Sequence, residues 1–299
     1  MCVCVCVCVF VQDAHRLLSV LNDFEQVKQY GPDTIHVPNA VRTMGVDVDA
    51  LEAKFQAQVF LSRDLAETKY RGNPLAREKL YYFRGDANKK PIYRFPGFQW
   101  SSVQHYEPLN TFSELEALVD KLEAAFEYSK DGTPYFHHFI LTSYSRPEDH
   151  ISYHQDSMHD IEAGTDIIII SFGGTRPLQL VSAASEQKPE KPEIQIPMQA
   201  GDIIVLGPVT NEKMKHQVPA DPNGNPRWSL VMRRIKQASH FSLAEIEKRV
   251  AQAQMAQKAR VRSAEPTAVD ASSSTMVSRH VLGARMISIV ILNLACTRI

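Results

Sequence analysis

The sequence predicts an α+β fold: helices leading into a β-sandwich or barrel of short strands over roughly residues 80–236, then a closing helix. Three observations predict it. Six short apolar or alternating runs, FHHFILTSY, DIIIISF, LQLVS, EIQIPM, DIIVLG and RWSLVMRRI, follow one another from residue 136 and are separated by Pro, Gly and Asp, the pattern of strands joined by turns. TFSELEALVDKLEAAFEYS, residues 111–129, places Leu115, Leu118, Leu122 and Phe126 on one face behind a Thr111–Glu114 capping box, which specifies a helix. FSLAEIEKRVAQAQMAQKARVR, residues 241–262, repeats that design with Ser242 and Glu245.

The 299 residues suffice for one large domain or two small ones. The net charge of −1 excludes a polycation, so any nucleic-acid binding relies on a local patch. Four of the five cysteines lie in MCVCVCVC at residues 1–8, and the fifth is Cys296. Strict alternation lacks the spaced pairs of a structural zinc site, and no disulfide framework emerges, which fits a reducing compartment. Residues 1–12 therefore read as a low-complexity Cys/Val end. No basic front or small-residue cleavage site marks a signal peptide, and an intracellular location, nucleus or cytoplasm, is expected. Residues 13–74 read as a helical N-terminal region, with Leu51, Phe55, Val59 and Phe60 in helical pattern.

A basic stretch follows. Lys69, Arg71, Arg77, Lys79, Arg84, Lys89, Lys90 and Arg94 stand against Glu78 and Asp86, and Tyr70, Tyr81, Tyr82, Phe83, Tyr93, Phe95, Phe98 and Trp100 accompany them. Cations with aromatics suit phosphate contact and base stacking; a hairpin with its aromatics in the core fits equally. The central domain is expected over 75–238 and a helix over 241–262. Residues 263–299 read as a disordered tail, Ser/Thr/Ala-rich to about residue 280. Its apolar stretch MISIVILNLAC, residues 286–296, is about half a membrane span, so no membrane partner is expected, and the chain reads as a monomer.

The chemistry concentrates in SYHQDSMHDIE, residues 152–162. On a strand, residues two apart share a face, so His154 and Asp156 aim an imidazole and a carboxylate at one point. They are two of the three ligands of a 2-His-1-carboxylate site for Fe(II), which leaves metal positions open. A downstream histidine must complete it. His216, within the β-core, is the better candidate than His240, at the start of the final helix. Oxygen activation at such a site also needs electrons, which 2-oxoglutarate supplies. Its distal carboxylate favours a bidentate Arg. In RWSLVMRRI, Arg227, Ser229 and Arg233 share one face and Arg234 points away.

The ordered set of HQD, a later His and an R-x-x-x-x-x-R run resembles the AlkB-like Fe(II)/2-oxoglutarate-dependent dioxygenases. FHHFILTSY resembles the family's strand before the metal motif, Ser171-Phe172-Gly173 its next strand, GDIIVLG the strand before the distal histidine, and REKLYYFRGD…PIYRFPG its nucleotide-contacting lid. The resemblance covers roughly residues 75–236. It implies a double-stranded β-helix (jelly-roll) core with flanking N- and C-terminal helices, and a dioxygenase using Fe(II), 2-oxoglutarate and O2. It implies His154, Asp156 and His216 as metal ligands, Arg227 with Tyr144 and Ser229 on the C5 carboxylate of 2-oxoglutarate, and Arg233 near its C1 carboxylate. Thr142 stands where the family has Asn, and Met158 where some members read the base with an acid. His159 and Asp160 match no ligand position and read as polar loop; His137 and His138 read as structural residues that could border the site. The implied substrate is an N-alkylated base in single-stranded or alkylated DNA or RNA, oxidatively demethylated as in DNA repair. The same chemistry on a protein or small molecule, and a non-catalytic jelly-roll binding protein, are the alternatives.

Overall fold

The computed structural model describes residues 21, 24–61, 69–70, 73–129, 133–184 and 191–264. The chain divides into two units: Met1–Ala256, which holds every described strand, and Gln257–Ile299, described only to the end of the last helix. The Cys/Val end and the tail from residue 265 onward lie outside the described residues.

In chain order the first half carries β1 (Lys28–Tyr30), β2 (Thr34–Val37), α1 (Ala40–Thr43), α2 (Val48–Gln56), β3 (Lys69–Tyr70), β4 (Asn73–Pro74), β5 (Glu78–Phe83), β6 (Lys89–Pro91), β7 (Tyr106–Pro108) and α3 (Ser113–Ala125). The second half carries β8 (His138–Tyr144), β9 (Ile151–His154), β10 (Ile167–Gly173), β11 (Leu178–Ser182), β12 (Ile194–Ile196), β13 (Ile203–Leu206), α4 (Pro208–Lys213), β14 (Met214–Val218), β15 (Arg227–Arg233), β16 (His240–Ser242) and α5 (Leu243–Ala264).

Strands β8 to β15 form a jelly roll. One sheet runs β13-β10-β15-β8 and the other β12-β11-β14-β9, so the chain crosses between sheets at almost every connection. The larger sheet is extended by β2 and β1 beyond β13 and by β5 and β7 beyond β8.

Strand β10 shows why these residues fold this way. Its side chains alternate between faces. Ile167 and Ile169 pack with Leu178, Leu180, Ile196 and Val218 from the smaller sheet, whereas Ile168 and Ile170 join Phe55 of α2 and Leu115 and Leu122 of α3. Both faces are covered, so the strand reads IIII without polar alternation.

Two sequence expectations are corrected. The region expected to be helical over 13–74 holds α1 and α2 but also β1 to β4. Strand β2, TIHV, is buried at all four positions and hydrogen-bonds the edge of β13; helical periodicity is blind to a strand of that length. The helix expected over 111–129 runs only Ser113–Ala125, and its capping box does not form. Thr111 Oγ1 instead donates to the Pro108 carbonyl at 2.7 Å. The Ser242–Glu245 box of α5 does form: Ser242 N donates to Glu245 Oε2 at 2.8 Å and Glu245 N to Ser242 Oγ at 3.3 Å.

Candidate metal and cosubstrate site

His154 ends β9 and His216 lies in β14, directly opposite it in the antiparallel register. Cross-strand partners stand close enough for side chains to meet, and the two imidazole centroids are 4.2 Å apart. The register shifts just beyond, between His216 and Val218, as bulges beside functional sites do. Asp156 follows two residues after His154. One ligand atom from each of His154, Asp156 and His216 lies within 4.8 Å of the others. His240 is elsewhere, its Nε2 beside the Ile235 carbonyl at 3.2 Å.

His154 Nδ1 sits 2.9 Å from the Ser152 carbonyl. That contact requires the proton on Nδ1 and leaves the Nε2 lone pair free; Nε2 is 3.8 Å from Asp156 Oδ1. Burial, followed by the neighbouring His154, pushes the His216 imidazole down to about 3. Burial likewise lowers His154. Both rings are thus neutral near pH 7, the form that binds metal. Burial would raise the Asp156 carboxyl, but Arg233 and the two imidazoles outweigh it and hold it well below the usual range.

Asp156 is fixed from three sides. Its backbone N–H donates to Asn211 Oδ1 at 2.9 Å, and Asn211 Nδ2 donates to its carbonyl at 3.0 Å. Arg233 grips the carboxylate through Nη2 at 2.7 Å and Nε at 3.2 Å. The Arg233 guanidinium lies 4.2 Å over the Tyr93 ring, and the Tyr93 hydroxyl accepts from Ser157 N at 2.9 Å.

A cavity of about 510 Å³ opens on the triad, lined by His154, Asp156, His216, Thr142, Tyr144, Ser229 and Arg233 among others. Thr142 and Ser229 are register partners on β8 and β15. Arg227 pairs with Tyr144 in the same register and lies against that ring, 5.2 Å from its centroid, outside the lining. Its Nε donates to Ser171 Oγ at 3.1 Å. Nη1 of Arg227 and Nη1 of Arg233 are buried donors without partners. Buried donors are nearly always satisfied, and carboxylates of 2-oxoglutarate are acceptors of the right kind. Arg234 faces away as expected, with its Nε on Glu162 at 3.0 Å. His137 and His138 do not line the cavity.

The sequence reading missed Asn211, Tyr93 and the role of Asp160. Asp160 is no polar loop residue: it is fully buried, accepts from Arg94 N at 2.7 Å and from Ser239 Oγ at 2.7 Å, and anchors the segment that carries Tyr93 and Phe95. His159 is exposed. Three cations of the basic stretch are committed internally. Arg84 pairs with Asp120 and Glu123, Arg94 with Asp160, and Lys90 Nζ donates to the Tyr106 carbonyl at 2.9 Å. Tyr81, Tyr82, Phe83 and Tyr93 are core residues, while Phe95, Phe98 and Trp100 stay half-buried. Arg77, just before β5, and Lys79, on β5, line the cavity.

A family model described as the 2OG-Fe(II) oxygenase superfamily matches residues 56–263. No curated protein matches the chain. Among solved structures, one titled "The structure of OsALKBH1" is similar over 70% of this chain and 99% of that chain, at 12% sequence identity and a TM-score of 0.44.

Proposed function

Because this chain belongs to the 2OG-Fe(II) oxygenase superfamily, we propose that His154, Asp156 and His216 hold its Fe(II) and that its substrate is an N-alkylated base in nucleic acid. The protein is a 2-oxoglutarate-dependent dioxygenase. Fe(II) with 2-oxoglutarate and O2 supplies oxidation of a substrate C–H to C–OH with release of succinate and CO2, and an N-hydroxymethyl product sheds formaldehyde. The observation that carries the assignment is the convergence of two neutral imidazoles and one ionised carboxylate within 4.8 Å on a cavity wall.

The chain's own residues do the positioning. Arg233 holds Asp156 through Nε and Nη2, and its orphaned Nη1 would be left for the C1 carboxylate of 2-oxoglutarate. Arg227, with Tyr144 and Ser229, would hold the C5 carboxylate, and Thr142 would supply a hydroxyl where the related enzymes carry an amide. The walls of Ile140, Ile169, Leu178, Val218 and Val231 keep the site dry, which strengthens each of these electrostatic contacts. Phe95 at the cavity offers a face for a base extruded from its stack. The same oxidation of a small molecule or protein side chain is the second reading, favoured by the internal pairing of Arg84, Arg94 and Lys90, which withholds those three cations from a phosphate backbone.

Anaerobic titration of Fe(II) and 2-oxoglutarate, followed by the weak visible charge-transfer band, tests the site. Wild type is expected to show the band and Asp156→Ala to lose it; a band that survives in the variant would move the metal elsewhere. Succinate and formaldehyde from an N-methylated single-stranded oligonucleotide, in equal amounts, test the substrate. Turnover of 2-oxoglutarate that ignores the oligonucleotide would favour the second reading.

A further inference from the structure

Arg176, just before β11, and Arg227, the first residue of β15, are the two largest fully buried side chains among the described residues. A buried charge needs partners, and Arg176 finds them on the main chain. Its Nη1 donates to the Asp149 carbonyl at 2.6 Å, and its Nη2 to the Asn225 carbonyl at 3.3 Å and the Arg146 carbonyl at 3.5 Å. Arg146 follows Tyr144 by two residues, and Asn225 precedes Arg227 by two. One guanidinium therefore ties the chain just past Tyr144 to the chain just before Arg227. Its Nε is a buried donor without a hydrogen-bond partner.

The two guanidiniums also meet at one ring. Arg176 lies 5.6 Å and Arg227 5.2 Å from the centroid of Tyr144, where the ring face attracts a cation. Arg227 hydrogen-bonds the Tyr144 side chain as well; burial first and Arg176 after it lower its guanidinium, while Tyr144 raises it. Tyr144 lines the cavity, and neither arginine does. The ring is thus the wall between the cavity and two like charges. Two buried cations that repel each other favour an anion on the far side of that wall, across a medium that screens little.

Resting on the proposed clamp of Arg227, Tyr144 and Ser229, we infer that Arg176 is a positioning residue for the C5 carboxylate of 2-oxoglutarate and sets the preference for a 2-oxo dicarboxylate over a 2-oxo monocarboxylate. It does not touch the cosubstrate. From outside the cavity it backs the Tyr144 ring, holds the loops that leave β8 and enter β15, and adds a second positive charge behind the clamp. A residue that only anchored the two loops would support the shape of the site and favour neither acid.

The test uses the full chain with Fe(II) under anaerobic conditions, titrated with 2-oxoglutarate and with 2-oxopentanoate and followed by the charge-transfer band. The second acid keeps the chelating end and carries a methyl in place of the C5 carboxylate. Wild type is expected to prefer 2-oxoglutarate. In Arg176→Met that preference is expected to fall about tenfold, the scale of one buried charge acting across a side chain, with the affinity for 2-oxopentanoate unchanged. Arg176→Lys keeps the charge and loses the planar fork that reaches both loops and the ring; its preference is expected to fall severalfold, and it decides the matter should Arg176→Met fail to fold. The thermal midpoint of each metal-free variant reports folding. An undiminished preference in either folded variant, or equal weakening of both acids, overturns the inference and leaves Arg176 a loop anchor. A wild type that binds the two acids equally overturns the clamp of Arg227 and Tyr144, and a wild type without the band overturns the metal site; the inference falls with either.

Discussion

Burial lowers the imidazoles of His137, His154 and His216 alike, but only the last two serve chemistry. His154 and His216 lose their charge to burial and face Asp156. His137 loses it to burial, to His240 and to Arg234, which push it down to about 4, and its Nδ1 accepts the Ile235 N–H at 3.3 Å. The unfolded chain protonates His137 near 6.5. Between those values the unfolded state binds a proton that the folded state refuses, so this contribution to stability is fully present above pH 6.5 and is lost as pH falls toward 4. The urea midpoint of metal-free protein is expected to fall across that window, and less steeply in His137→Gln. Identical slopes in the two proteins would place the acid sensitivity at other groups. At this scale the sequence was legible where spacing alone dictates a shared face: His154 with Asp156, Arg227 with Ser229 and Arg233. It was silent where a side chain serves distant segments, as Asp160 does for the Arg94 backbone and the Ser239 hydroxyl.

Among the elements, the short helix α4 does more for the site than its six residues suggest. Asp33, just before β2, accepts from Val209 N at 2.7 Å and from Thr210 N at 2.8 Å and so caps the helix start. Gly207 is required at that approach, because a Cβ there would meet the Asp33 carboxylate at 2.2–2.4 Å. One turn after Gly207, Asn211 clamps the backbone of Asp156 on both sides, and Gln155 Nε2 binds the Asn211 carbonyl at 3.0 Å. The helix thereby joins the Asp156 loop to β14, which carries His216. Groups that orient metal ligands typically account for a 10–100-fold change in metal affinity, so Asn211→Ala is expected to weaken Fe(II) by about that factor, read from the charge-transfer band at fixed 2-oxoglutarate. Asn211→Asp keeps the acceptor for Asp156 N and should recover part of the loss. Unchanged affinity in the alanine variant would reduce Asn211 to a structural residue. None of this was readable beforehand. PVTNEK carries no strong helical period, and the Asp33 cap is 176 residues from Val209, whereas α5 was legible because its capping box is local.

Across the whole molecule, the strands themselves were legible as short runs between turn residues, but their order was not. Nothing in TIHV announces pairing with β13, because sheet partners are chosen by packing of faces and not by local pattern. The order matters for function. His154 and His216 belong to the smaller sheet, on β9 and β14, and Arg227, Ser229 and Arg233 to β15 of the larger one. The Arg233–Asp156 pair spans the gap between the sheets. Its net worth is limited because both charges are desolvated. Fe(II) would tie the two minor-sheet strands to the Asp156 loop, and 2-oxoglutarate would add contacts from β15, so the two ligands together brace the sandwich across its open end. A ligand that binds only the folded state stabilises it by about 2.7 kcal/mol at a hundred times its Kd. For a domain of this size that corresponds to a rise of roughly 5–10 °C in Tm. The rise is expected when Fe(II) and 2-oxoglutarate are present together under anaerobic conditions, to be smaller for either alone, and to vanish on chelation of the metal. Asp156→Ala should melt at one temperature with or without them. A wild type whose Tm ignores both ligands at concentrations that should saturate the site would mean that neither binds the folded state in preference to the unfolded chain, and the two-ligand site would fail with it.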